Sequence, residues 1–342
     1  MRYVAIGDPQ APYDTFLSIL RGHALLDGSD RLRDDVHLVS MGDHFDYGPP
    51  ERREMAATDG EAILSWLAEH SSEQVTILLG NHDLARVCEL ADYDDEAFLA
   101  AYAEARFVYD QGADESAFRA RHPQVPDAEC VARDYSCFRA SQRELVTRLL
   151  RTGRLRMAAH HAGLLLVHAG VTAEDLAAVS IEASGAAAVA DGLNAFLDAR
   201  VAAWTGGALD LAPLHRAGSG AHGEGRGVLY QRPCDPASEH PGRLDGPPRR
   251  RFDPRSLPAA FPQAIGHIRD GKCRQLMPAW CPSGPAVDGA LRSLVVSGQD
   301  VRYQLGCAPE ARLLFTDAGM WHVASERYEL LDLAARRPLT RP

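Results

Sequence analysis

No apolar run in this 342-residue chain approaches the roughly 20 residues that a membrane-spanning helix needs. No basic start with an apolar core marks a leader, because the first residues enter a strand-like run at once. A cysteine framework is missing too. Cys88, Cys130, Cys137, Cys234, Cys273, Cys281 and Cys307 are odd in number, and no two stand in a CxxC spacing. That excludes a zinc knuckle and argues for reduced thiols, so a cytoplasmic protein is expected. Positive charge is short: 36 Lys and Arg against 47 Asp and Glu leave a net charge of −11. Neither nucleic acid nor a membrane is therefore expected as a partner. Internal repeats are absent, and the acidic residues of 27–35 lack the spacing of a calcium loop. What is there is an ordinary globular composition, 46% hydrophobic and 24% charged. The length suits one large α/β domain or two smaller ones.

Apolar runs at residues 2–6, 36–41 and 75–79 are each followed by glycine and polar residues, the pattern of buried parallel strands. Between them, residues 54–69 place Ile63, Leu64 and Leu67 on one helical face. Asp14 is a candidate cap for a helix carrying Phe16, Leu17 and Leu20. The opening of the chain thus reads β-α-β-α-β, each strand delivering a polar loop at its C-terminal end. Residues 84–160 turn helical. Phe98, Leu99 and Tyr102 recur at helical spacing, and Ser141-Gln142-Arg143-Glu144 reads as a capping box. This segment is expected to be a helical insertion overhanging the strand ends. A strand at 164–167, an alanine-rich helix over 191–204 and strands near 263–266, 311–315 and 322–331 follow. Residues 205–262 hold nine glycines and nine prolines, so a long surface loop is expected there.

Two stretches carry most of the chemistry: Met41-Gly42-Asp43-His44-Phe45-Asp46-Tyr47-Gly48 and Gly80-Asn81-His82-Asp83. In open α/β sheets the loops at the carboxyl ends of the strands build the site. Carboxylate, amide oxygen and imidazole would meet on that rim, and they are the ligand set of hard to borderline divalent metals. Taken singly, each residue has a plainer reading. Asp8 could cap a helix, Asn81 could make a turn, and His168 and His267 could be packed histidines. The joint pattern favours a metal centre.

Gly7-Asp8-x-Gln10, Gly42-Asp43-x-x-Asp46-x-Gly48, Gly80-Asn81-His82-Asp83, His168-Ala169-Gly170 and Gly266-His267 resemble, in this order, the signature of calcineurin-like metallophosphoesterases. The resemblance implies an α/β fold of the metallophosphoesterase type: a β-sandwich flanked by helices, four layers in αββα order, as one domain over residues 1–342. It implies two divalent metal ions, manganese foremost, with iron, zinc or magnesium as alternatives. Asp8 and Gln10 would serve the first ion, and Asp43 would bridge both. Asn81, His168 and His267 would complete the second. Such an ion pair lowers the pKa of a shared solvent molecule and clamps both oxygens of an in-line displacement. His82 would stand near the leaving oxygen as general acid, oriented by Asp46. Arg226 and Arg232 lie where PPP-type phosphatases place a substrate-binding arginine.

Three departures from that signature bear on activity. Gln10 stands where the family usually has His, which weakens the first site for zinc or iron and favours manganese or magnesium. Manganese-dependent ADP-ribose pyrophosphatases resemble the chain in this glutamine. Tyr47 replaces the phosphate-gripping Arg of PPP-type enzymes, and Arg269 stands where GHxH motifs have their second His. Leu164-Leu165-Leu166-Val167-His168-Ala169-Gly170 and Thr316-Asp317-Ala318-Gly319-Met320 are similar to stretches of bacterial Shewanella-like phosphatases and diadenosine tetraphosphatases. The expected activity is that of a phosphatase, on phosphoprotein or a small phosphorylated metabolite. A nucleotide pyrophosphohydrolase is the alternative, and a catalytically silent scaffold is the third reading. His160-His161 falls outside the pattern, and Arg249-Arg250-Arg251 reads as surface.

Overall fold

The computed structural model describes residues 1–238 and 251–342. In chain order its strands are β1 (Arg2–Ile6), β2 (Val36–Ser40), β3 (Val75–Leu78), β4 (Leu155–Arg156), β5 (Ala158–His161) and β6 (Leu164–Val167). Four two-residue strands follow, β7 (His215–Arg216), β8 (Arg226–Gly227), β9 (Arg232–Pro233) and β10 (Arg251–Phe252). The remainder are β11 (Gln263–Ile265), β12 (Arg292–Ser297), β13 (Asp300–Leu305), β14 (Leu313–Phe315), β15 (Leu331–Asp332) and β16 (Arg337–Pro338). The helices are α1 (Tyr13–Gly22), α2 (Arg53–Glu69), α3 (Asn81–Ala85), α4 (Asp95–Gln111), α5 (Ser116–Arg121), α6 (Ala140–Arg151), α7 (Ala173–Ala178), α8 (Ala186–Ala203) and α9 (Asp270–Leu276).

Two six-stranded sheets face each other, ordered β16-β15-β1-β2-β3-β4 and β13-β12-β14-β11-β6-β5. The period of two along each strand divides the apolar residues between two layers. Ala5, Val39 and Leu78 of the first sheet pack against Leu164, Leu166, Ala264 and Leu314 of the second. Their neighbours Val4, Ile6, Leu38 and Ile77, and on the other sheet Leu165 and Val167, turn outward into the helix-covered core. There Phe16, Ile19 and Leu20 of α1, Ile63 and Leu64 of α2, and Val189, Leu193 and Leu197 of α8 meet them. The result is the four-layer αββα sandwich. The centre of each sheet is parallel, β1-β2-β3 in one and β6-β11-β14 in the other. All six of these strand ends therefore open on one rim.

Several local expectations change. The helix expected to open at Ser141 starts at Ala140 with Arg139 as its cap residue, whose N–H donates to Gln142 Oε1 at 3.3 Å. Ser141 instead donates to Glu61. The end of the stretch read as helical is strand: β4 pairs with β3, and β5, which holds His160 and His161, pairs with β6. The alanine-rich helix begins at Ala186, five residues before the expected 191. Residues 322–331 are largely single 3-10 turns, and strand is left only at Leu331–Asp332. Alternation there reported short surface turns, not a strand. Arg249 and Arg250 lie outside the described residues. Arg251 sits in β10, half-buried and opposite Arg232.

Candidate metal centre

Six parallel strand ends supply the centre. Asp8 and Gln10 follow β1, Asp43 and Asp46 follow β2, and Asn81 and His82 open α3 after β3. From the facing sheet, His168 follows β6, His267 follows β11 and Asp317 follows β14. Asp43, Asp46 and His267 adopt left-handed backbone, with φ of 57°, 67° and 61°. Such angles cost a non-glycine residue about 1–3 kcal/mol each and persist only where the surroundings impose them. Asp83 supplies much of that constraint. Its carboxylate accepts from the N–H groups of Asp43 (3.0 Å), His44 (3.0 Å) and Gly80 (2.8 Å), and from His44 Nδ1 (3.0 Å). One buried side chain thereby ties the two central motifs together.

The groups that converge at the centre are hydrogen-bond acceptors. His168 Nδ1 donates to the Met41 carbonyl at 2.8 Å, so the neutral ring presents a lone pair on Nε2. That atom lies 3.0 Å from Asn81 Oδ1 and 3.4 Å from Asp43 Oδ2. His267 Nε2 donates to the Tyr230 carbonyl at 3.0 Å, which leaves Nδ1 as its lone pair. Ligand atoms of Asp43, His168 and His267 all lie within 4.8 Å of one another. Facing lone pairs repel unless a cation or proton stands between them. Burial would lower the His168 pKa, but the Asp43 charge outweighs it and raises the value. His267 is driven well down, first by burial and then by Arg232 and His168, and stays neutral. These residues fit a divalent ion, and their bonds to Met41 and Tyr230 set each imidazole in the ligating tautomer.

Beside this group, Asp8 Oδ2 accepts from His267 N–H at 2.8 Å, while Asp8 Oδ1 is buried without a partner. Gly266 permits that placement, because a Cβ there would come within 2.0 Å of Asp8 Oδ1. Burial, then Asp317 and Asp43, push the Asp8 pKa well up. Asp43 moves the other way: burial would raise it, but His168 and His82 hold it far below the usual carboxylate range. Gln10 Nε2 donates to the Phe45 carbonyl at 2.8 Å, so its Oε1 remains for the cleft it lines with Asp8.

His82 is held by Asp46, whose Oδ2 accepts from His82 Nδ1 at 2.9 Å. Asp46 is fixed in turn by the fully buried Arg86 at 2.7 Å and by the Cys137 N–H at 2.9 Å. Burial alone would lower the His82 pKa, but Asp43 and Asp46 carry it up to about 9. The remaining face of the ring, Nε2, lies 3.9 Å from Asp43.

Two clefts meet at the rim. One of about 250 Å³ is walled by Tyr47, Trp321 and His322. The other, about 630 Å³, is lined by Arg232, Tyr230 and Lys272. His82, Arg133, Asp134, Arg269 and Asp317 border both. Arg232 faces the larger one with its Nε buried and unpartnered, and burial draws its pKa down. Arg226 stands apart. It sits in the β7-β8 ribbon, donates to the His222 carbonyl at 2.8 Å and lines neither cleft. Arg133, which no motif singled out, enters from the helical segment. Arg269, read from sequence only as a missing histidine, brings a guanidinium to the same rim.

Fold and centre together fit a metal-dependent phosphoester hydrolase. The sequence matches the calcineurin-like phosphoesterase family over residues 1–172, half of the chain, and the chain belongs to that family. No curated protein matches it. Among solved structures it is similar to a cold-active protein tyrosine phosphatase, at 14% identity over 96% of this chain and 72% of that one, with a TM-score of 0.46. It is also similar to the cold-active protein-tyrosine phosphatase of a psychrophilic Shewanella species, at 13% identity over 96% and 74%, with a TM-score of 0.45. Among the described residues no helix is long and apolar enough to cross a membrane.

Proposed function

We propose that this phosphoester hydrolase works with two divalent ions, manganese foremost, on phosphate monoesters. The observation that carries the reading is the convergence of acceptors at Asp43, Asn81, His168 and His267, beside the unpartnered carboxylate oxygen of Asp8. Asp8, Gln10 and Asp43 would hold one ion, and Asp43, Asn81, His168 and His267 the other. When bound, the ions would supply a solvent nucleophile at neutral pH and offset charge on the phosphoryl oxygens.

The chain's own residues do the rest. Asp46 keeps the Nδ1 proton of His82, so Nε2 is the atom that delivers a proton to the leaving oxygen. Cations nearby would lower the His82 pKa from about 9 toward neutrality, where a general acid is most effective. Arg232, Arg133 and Arg269 offer guanidiniums to the phosphoryl group, in place of the arginine that Tyr47 replaces. A cytoplasmic setting accords with seven free cysteines.

A second reading has one feature in its favour. The 630 Å³ cleft carries three arginines and has room for more than one phosphate, as a nucleotide pyrophosphohydrolase needs. A panel of p-nitrophenyl phosphate, its bis ester, phosphopeptides and dinucleotide polyphosphates, each with manganese, decides between the two. Turnover of the monoesters is expected. Turnover confined to the polyphosphates selects the second reading, and no turnover of any of these substrates removes both.

A further inference from the structure

The parallel register of β6, β11 and β14 aligns Val167 with Ile265 and Ile265 with Phe315. His168 follows that rung by one residue and His267 by two. Asp317 also follows by two, on the adjacent strand. The third strand of the set thus ends in a carboxylate where its neighbours end in imidazoles. Its position is fixed from the other sheet: a Cβ on Gly7 would lie 2.0 Å from the Thr316 carbonyl oxygen and 2.9 Å from the Asp317 nitrogen. The Asp317 peptide therefore rests against the turn that carries Asp8. Arg292 anchors the same peptide by donating to the Asp317 carbonyl.

Asp317 is 8% exposed, and its Oδ1 accepts from Gly319 N–H at 3.0 Å. The side chain borders both clefts, in one of them together with Asp8 and Gln10. A second, independent feature points to a ligand here. Asp8, itself 3% exposed, buries an oxygen with no hydrogen-bond partner. A carboxylate oxygen buried without a partner, in a cleft that a second carboxylate lines, is satisfied by a cation between them. The motif gap lies on the same side, since Gln10 and Arg269 stand where the first site would otherwise have imidazoles.

We propose that Asp317 is a ligand of the first ion, alongside Asp8, Gln10 and Asp43. The inference rests on the two-ion reading above. A carboxylate and an amide in place of two imidazoles make that position an oxygen site, which favours manganese or magnesium over zinc. The two ion positions then differ in kind, one rich in oxygen and the other containing two imidazoles.

The test is metal content and manganese titration of wild type and Asp317→Asn, a change of equal size that retains the acceptor for Gly319. Two ions per wild-type chain are expected, with the weaker one lost or bound at least about tenfold more weakly in the variant. Two ions at wild-type affinity in Asp317→Asn overturn the assignment and leave the two-ion reading intact. Fewer than two in wild type overturn both. Should the variant not fold, a crystal structure of manganese-loaded wild type decides through anomalous scattering. An Asp317 oxygen coordinated to an ion is expected, and ions lacking that oxygen refute the role.

Discussion

At the scale of single residues, the centre depends on which hydrogen-bonding capacity each side chain has left over. The Met41 carbonyl accepts a hydrogen bond from His168, the Tyr230 carbonyl one from His267, and Asp46 one from His82. In each case the opposite nitrogen faces the site. His82→Ala should lower kcat by about 10²- to 10⁴-fold, with both ions retained by metal analysis. Asp46→Asn should lower kcat less and leave KM unchanged, as expected of a carboxylate that acts through the His82 ring whose Nδ1 donates to it. An unchanged kcat in His82→Ala would refute the acid role. Asp43, His82 and Asn81 were readable as chemistry from their motifs. Asp83 was quoted within one of those motifs, yet its work of tying Gly80, Asp43 and His44 emerges only once two strands lie side by side. Arg86 gave no signal at all: a buried arginine under Asp46 is a consequence of packing.

At the scale of elements, the strand ends were legible because a buried parallel strand is a continuous apolar run bounded by glycine. Short pieces were not. β4 and β5 are too brief for periodicity to separate them from the helix before them, and the 3-10 turns of 322–331 imitate alternation. One short strand carries a pH dependence. In β7, His215 is buried against Tyr230, and neither ring nitrogen has a hydrogen-bond partner. Burial brings its pKa down to about 3. The unfolded chain therefore takes up the proton first. The stability involved is complete above the ordinary value of 6.5 and is lost as pH falls from there toward 3. The slope is at most about 1.4 kcal/mol per pH unit. Between pH 7 and pH 5, His215→Phe should lose about 2 kcal/mol less stability than wild type in denaturant titrations. Equal losses in the two proteins would show that His215 is not buried in its neutral form.

At the scale of the whole molecule, the centre joins two sheets whose facing sides are otherwise largely apolar. Asp8, Asp43 and Asn81 come from one sheet, and His168, His267 and Asp317 from the other. Ions held between them should act as a cross-brace. Manganese at 100 times its dissociation constant is expected to stabilise the protein by about 2.7 kcal/mol per site. A chelator should lower Tm correspondingly, and a Tm indifferent to both would rule out ion binding at this junction.

The chain by itself determined the parallel strands that open the fold and the motif residues at their ends, because apolar runs and the glycines that end them are local properties; the sandwich followed only from the family resemblance. The chain determined the family for the same reason, through short motifs whose order does not depend on how distant segments pack. Only the tertiary structure decided which lone pairs converge, that Arg226 turns away while Arg133 and Arg269 reach the rim, and that Asp317 stands beside Asp8. Those outcomes depend on the register between strands and on how two sheets face each other. Register arises from contacts between residues tens to hundreds of positions apart, about which neither local composition nor spacing carries information.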